Sequence, residues 1–292
     1  MKLKNNFLLT LLLGATTIGF SQSPVSGFMK QKGKGAVALS YSFEKYNEVY
    51  LVPTTVKGVP VFEEVQNTAI NIYSNYGITD KLEVVLSAPY IKSEGKGNAA
   101  FLAANGFENT RQGLQDAILF LKYKTFSCRT KEATFDFILS AGVQTPVGGY
   151  KADEGLQSII AIGNKSTKVT GLAIAQIKLD KGYFLTGQAG FRVASNKVPS
   201  AFVSEVKVGY ASSKIYTDVW VAFQKSSKGV DILQPGFAGF FPETQVDYAR
   251  IGGNIYAPIY KGFGINVGLN AYVQGRNLGK SAGYSTGLVY NF

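Results

Sequence analysis

The sequence predicts an all-β protein, an antiparallel transmembrane β-barrel of about twelve strands preceded by an N-terminal signal peptide. Three observations predict the barrel. Polarity alternates with period two along about twelve segments, and the connections between segments are short and long by turns. The chain also ends on alternate apolar residues, Leu288, Tyr290 and Phe292. Successive side chains of a strand point to opposite faces, so a period of two sorts each segment between two surroundings.

The first segment is the clearest. Val37, Leu39, Tyr41 and Phe43 alternate with Ala36, Ala38, Ser40 and Ser42. Further segments fall near 68–76, 82–90 and 114–123. The fifth sets Phe135, Phe137, Leu139, Ala141 and Val143 against Asp136, Ser140 and Gln144. Those near 167–178, 183–193, 201–210, 215–224 and 245–257 follow, the second and the tenth of the series being the least regular. In the eleventh, Phe263, Ile265, Val267 and Leu269 alternate with Gly264, Asn266, Gly268 and Asn270, and the twelfth runs over 282–292.

Short links are expected at 77–81, 179–182, 211–214 and 258–262, with a moderate one at 124–133. Longer loops fall near 47–67, 92–113, 146–166 and 225–244, and two intermediate ones at 194–200 and 275–281. Outer-membrane barrels carry short periplasmic turns and longer external loops. A soluble sandwich has no reason to sort its loops by length, and an even strand count places both termini on the periplasmic side. Backbone N–H and C=O groups in hydrocarbon require internal partners, which leaves helices or closed barrels. No apolar run after the leader approaches the roughly 20 residues of a membrane helix, so closure follows.

The row opposite the apolar one carries charge. Glu83, Asp116, Lys122, Asp136, Lys178, Arg192, Glu205, Lys207, Asp218 and Arg250 fall on the interior parity, five acidic and five basic. A lipid-facing Lys or Arg costs about 2–4 kcal/mol at the midplane, so the interior is the cheaper placement. These charges either form a paired network that braces or fills the lumen, or line a polar pathway. Trp220 shares the parity of Asp218 and is expected to face the lumen, as stacking surface or as filler. Tyr76, Tyr90, Tyr123, Tyr183, Tyr210 and Tyr260 stand at segment ends, where interfacial girdles form. The loop aromatics Phe101, Phe237, Phe240 and Phe241, with Leu102, either fold over the mouth or pack on one another.

Residues 1–21 read as a signal peptide, with a basic start at Lys2 and Lys4, an apolar stretch from Phe7 to Phe20 and a tolerable cleavage site at Gly19-Phe20-Ser21. Residues 22–34 then form a periplasmic N-terminal segment that either hangs free or enters the barrel mouth, and 35–292 the barrel. The net charge is +11, or +9 without Lys2 and Lys4. The interior charges balance, so the excess lies in loops, turns and the N-terminal segment, including Lys30, Lys32 and Lys34. Expected partners are outer-membrane lipids and lipopolysaccharide, a small solute, and no nucleic acid.

The sequence holds no histidine. A Ser-His or Asp-His arrangement therefore cannot be built, and no enzymatic activity is expected. No cofactor is expected. Cys128 is the single cysteine, which excludes an internal disulfide and leaves no metal set of the His/Cys kind. The stretch 163–167 lacks the leading glycine and the helix of a phosphate loop and reads as plain loop.

Several stretches carry a resemblance. YGITDKLEVVLSAPYI at Tyr76 to Ile91 is followed by GLQDAILFLKYK at Gly113 to Lys124 and by LSAGVQTPVGGY at Leu139 to Tyr150. In order and spacing they resemble a family of outer-membrane proteins named for the meta-pathway of phenol degradation. The resemblance implies a barrel that transports small compounds, apolar or aromatic among them, with Asp116 and Lys122 on its polar strand positions. The terminal Leu288, Tyr290 and Phe292 likewise look like the signal read by barrel-assembly machinery, an expected partner. The leading expectation is an outer-membrane channel or transporter for small solutes. Its rival is a non-conducting structural or interaction barrel with a charge-plugged lumen and ligand-binding external loops, and a third reading is a soluble β-sandwich.

Overall fold

Twelve antiparallel strands close into one barrel. The computed structural model describes residues 23–292, and the expected signal peptide lies outside the described residues. The strands are β1 (Gly35–Tyr46), β2 (Glu64–Gly77), β3 (Leu82–Lys96), β4 (Asp116–Arg129), β5 (Ala133–Pro146) and β6 (Lys168–Leu179). They continue as β7 (Tyr183–Ala194), β8 (Ala201–Ala211), β9 (Tyr216–Ser226), β10 (Asp247–Tyr260), β11 (Phe263–Arg276) and β12 (Ala282–Asn291). Each pairs with its neighbour in sequence, and β1 closes on β12 from Ala36 opposite Asn291 to Lys45 opposite Ala282. The closed ring leaves no edge strand, so the barrel wall satisfies its own backbone groups. Among the described residues no helix is long and apolar enough to cross a membrane, and crossing falls to the strands.

The burial pattern explains the alternation. In β1 the outward Val37, Leu39 and Tyr41 are exposed, whereas Ala36, Ala38, Ser40 and Ser42 are buried. In β11 the outward Phe263, Ile265, Val267 and Leu269 are exposed and Asn266 and Asn270 buried. A surface that exposes so many large apolar side chains around its whole circumference is suited to hydrocarbon. Aromatic side chains gather at both ends of it. Tyr76, Tyr290 and Phe292 stack near the short turns, with Tyr183 on Tyr210 at 5.3 Å. Phe43 on Tyr284 and Phe191 on Phe202 mark the opposite end.

Five short turns lie at one end and the longer loops at the other. Side-chain hydroxyls cap three of the turns, one of them after β4, where Thr130 Oγ1 accepts from the Ala133 amide. Thr79 Oγ1 accepts from the Lys81 and Leu82 amides, and Ser212 Oγ from those of Lys214 and Ile215. The link after β4 is shorter than the expected 124–133, because β4 runs on to Arg129 through a register shift between Lys124 and Phe126. At the loop end β2 and β3 extend beyond the alternating segments, to Glu64 and Lys96. Additional small elements form there: a helix, α1 (Ala99–Ala104), and a strand at Thr110–Leu114 that continues the wall beside β3. A three-stranded sheet joins Glu48–Tyr50, Thr55–Lys57 and Leu278–Gly279.

The segment before β1 lies inside the barrel at the turn end. Val25 and Phe28 are buried in a cluster with Tyr73, Val85, Phe120, Ile138, Ile174, Phe184, Tyr216 and Tyr256, side chains drawn from strands all around the wall. Phe28 meets Phe184 edge-on at 4.9 Å. The chain reaches the wall at Gly77, where a Cβ would collide with the carbonyls of Lys30 and Gln31, and passes into β1 beside Phe292.

Candidate functional site

The inward row of the strands builds five polar groups, three at the turn end of the barrel and two at the loop end. At the turn end Glu83 and Lys122, on β3 and β4, are directly opposite in register and pair at 2.8 Å, both with no exposed surface. Lys122 Nζ also donates to the Phe28 carbonyl at 2.6 Å, and the Lys30 amide donates to Glu83. On the other side of the inserted segment Lys207 lies 3.6 Å from Glu205 and 3.7 Å from Asp218. Asp218 accepts from Tyr216 and Asn254, and Glu205 accepts from Gln188 and the Ser23 amide. The N-terminal segment is thus held by polar contacts from two sides and by apolar ones between them. Asp136 pairs with Lys178 at 2.6 Å near the same end.

At the loop end Arg250 binds Glu44 and Asn270, donates to Tyr272 Oη at 3.1 Å and stacks over its ring at 4.4 Å. Asp116 accepts from Gln144 at 2.9 Å and from the hydroxyl of Tyr150, a loop residue. Burial first, and then Asp116, push the Tyr150 hydroxyl above its usual range. Arg192 differs from the other four expected interior cations, Lys122, Lys178, Lys207 and Arg250, each of which pairs with a carboxylate. It is half-buried, donates to Gln224 at 3.2 Å, and among the described residues has no carboxylate partner. Trp220 is buried over Gly252, its cross-strand partner, where a Cβ would leave no room for the indole. That is the geometry of a space-filling aromatic on a glycine.

Above this layer, under the loops, lies a cavity of about 420 Å³. Its walls are mainly apolar, with Val49, Leu51, Ile159, Pro199, Leu233 and Phe241 among them. Lys168, Arg192, Gln224 and Ser226 reach it from the barrel wall. The loop over it is clamped where Arg276 and Asn277 donate to Asp231 at 2.7–2.8 Å. The hydrogen bond from Arg276 holds the Asp231 carboxyl below its usual range. A depressed carboxyl stabilises above its unfolded pKa, and the contribution is lost as pH falls through the folded one, so the clamp persists into acid. Of the loop aromatics, Phe237 and Phe241 pack edge-on at 5.2 Å and Phe241 also lines the cavity, so packing and lining coincide. Phe240 lies under Lys197, Phe101 is exposed, and Leu102 is buried with Val59, Phe62 and Ile160.

Several residues of these groups were outside the expected set: Glu44, Lys168, Lys30, Tyr150 and Tyr272. Parity would have found the first two. Glu44 follows Ser40 and Ser42 along β1, and Lys168 shares the row of Thr170 and Lys178 along β6. No metal-binding group of His, Cys, Asp and Glu occurs among the described residues.

Closed strands, an apolar outer belt and a polar interior together define an outer-membrane β-barrel. The chain belongs to the family described as "Putative MetA-pathway of phenol degradation", whose pattern matches residues 54–285. An outer membrane channel from Pseudomonas putida F1 has a similar structure, with a TM-score of 0.72 at 11% identity, over 95% of this chain and 100% of that one. At such identity the likeness concerns the fold. The translocator domain of autotransporter NalP from Neisseria meningitidis gives a TM-score of 0.47 at 8% identity, over 89% of this chain and 88% of that one. No curated protein matches the chain.

Proposed function

We propose that the protein is an outer-membrane channel for small solutes, apolar and aromatic ones among them, and not an enzyme. The observation that carries this reading is the apolar cavity of about 420 Å³ beneath the loops, which meets polar side chains of the barrel interior at Lys168, Arg192 and Gln224. A pocket of this size, mostly apolar with a few converging polar groups, is suited to one small molecule. The reading puts the long loops outside and both termini in the periplasm. Lipid and lipopolysaccharide then surround the apolar belt, and the assembly machinery reads Leu288, Tyr290 and Phe292. In this reading Glu83, Asp116, Lys122, Asp136, Lys178, Arg192, Glu205, Lys207, Asp218, Trp220 and Arg250 face the lumen.

A second reading, a plugged barrel that only binds at its loops, is favoured by the N-terminal segment seated in the turn end. Uptake separates the two. The lipopolysaccharide leaflet retards apolar solutes that a phospholipid bilayer would admit, so intact cells are the informative system. Cells displaying the barrel are expected to take up a labelled small aromatic compound several-fold faster than cells without it. Equal rates, with the barrel folded in the outer membrane, would favour the plugged scaffold.

A further inference from the structure

The cavity under the loops has a charge imbalance at its floor. Two cations line it, Lys168 and Arg192, and none of its lining residues is acidic. They stand on adjacent strands at diagonal positions, because Lys168 is opposite Ala194 and Thr170 is opposite Arg192. Their Cβ atoms are therefore about 7 Å apart, within joint reach of one small group. The nearest carboxylate is Asp116, whose Oδ2 lies 3.8 Å from Lys168 Nζ, beyond hydrogen-bond distance. Asp116 already accepts hydrogen bonds from Gln144 and Tyr150.

Arg192 shares this shortage. One Nη donates to Gln224 Oε1, and Nε is buried with no hydrogen-bond partner among the described residues. The Nε of the other interior Arg, Arg250, is also buried without a partner, but its Nη atoms donate to Glu44, Asn270 and Tyr272. A guanidinium edge with free donors, next to an ammonium, matches the two oxygens of a carboxylate. Most of the remaining lining is apolar, including Leu51, Ile159, Leu233 and Phe241, with Ser158, Asn164, Thr244 and Asn277 as polar exceptions besides Gln224 and Ser226.

We propose that this cavity binds amphiphiles consisting of a compact apolar body and a single carboxylate, the head group held between Lys168 and Arg192 and the body under the loops. The proposal rests on the channel reading for its biological meaning, and it names the substrate class of that same site. A neutral molecule of the same shape leaves Arg192 without a counter-charge and Lys168 with Asp116 alone, at 3.8 Å, so the site discriminates by head group.

The test uses 4-phenylbutyrate and its neutral amide, 4-phenylbutyramide. Both are titrated against the full mature barrel in lipid nanodiscs, with empty discs as the partition blank, and both are offered to intact cells displaying it. The wild-type barrel is expected to prefer the carboxylate by about tenfold or more, the ratio that one charge-assisted hydrogen bond gives. Arg192→Gln with Lys168→Gln is expected to abolish the preference, and Arg192→Lys to retain most of it. The heat-shifted electrophoretic band of a folded barrel qualifies each variant. If the double variant fails to fold, Arg192→Gln alone is read, with a loss of at least several-fold expected. Equal binding of acid and amide by wild type, or an unchanged ratio in the variants, would overturn the proposal while leaving the channel reading intact. A barrel that keeps its preference in discs while cells take up neither compound would overturn the channel reading and leave the binding site standing.

Discussion

Glu83→Ala is expected to destabilise the folded barrel by about 3–5 kcal/mol, because it leaves a buried ammonium without its counter-charge. Glu83 and Lys122 pair at 2.8 Å with neither exposed, and the Lys30 amide loses its acceptor in the same substitution. Replacing both partners by uncharged residues of similar volume, Glu83→Gln with Lys122→Met, is expected to cost less than Glu83→Ala alone. An apolar replacement escapes the desolvation penalty that a stranded charge incurs. Urea unfolding of the barrel from lipid vesicles measures both. A single variant as stable as wild type would show that the pair is hydrated and that the N-terminal segment does not seal it.

Removal of residues 23–31 is expected to raise single-channel conductance markedly, from a nearly closed state to steady openings. Val25 and Phe28 fill the turn end against side chains from most of the strands, and Ser23, Phe28 and Lys30 engage Glu205, Lys122 and Glu83 through their backbone. Without the segment, water replaces it among these charges. The same deletion is expected to lower stability, since Lys122 and Glu83 each lose one hydrogen bond of the charged kind, worth about 1.5–3 kcal/mol apiece before water compensates. Planar-bilayer recordings of the full and shortened chains measure the effect. Identical conductance would mean that solutes do not pass the turn end along the barrel axis.

The barrel was legible because lipid imposes a strict period of two. In β11 every outward residue from Phe263 to Leu269 is apolar, and in β1 the same holds from Val37 to Phe43. Where strands rise past the lipid the rule lapses, and so did the reading of their ends. The outer end of β3 reads Ser93, Glu94, Gly95 and Lys96, which has no apolar row yet stays paired with β2. The candidate site was legible in part. Charged residues on the polar parity announced an interior network, but their partners did not. Asp116 meets Tyr150, and Glu83 meets Lys30, across distances in sequence that no local pattern encodes. The place of the N-terminal segment was hidden for the same reason: Val25 and Phe28 find their neighbours only once the ring has closed. The cavity was invisible because five loops build it together, none with a periodic signal.

The account depends on the two faces of each strand meeting different media, and one measurement addresses that directly. In a Cys128→Ser background, single cysteines placed in turn at 263–270 on β11 carry nitroxide labels, and their accessibility to oxygen in lipid and to a polar nickel chelate is recorded in vesicles. Labels at 263, 265, 267 and 269 are predicted to be reached by oxygen and shielded from the chelate, and labels at 264, 266, 268 and 270 to be shielded from lipid. Uniform accessibility along the strand, or the opposite phase, would contradict the membrane barrel and everything proposed for its interior.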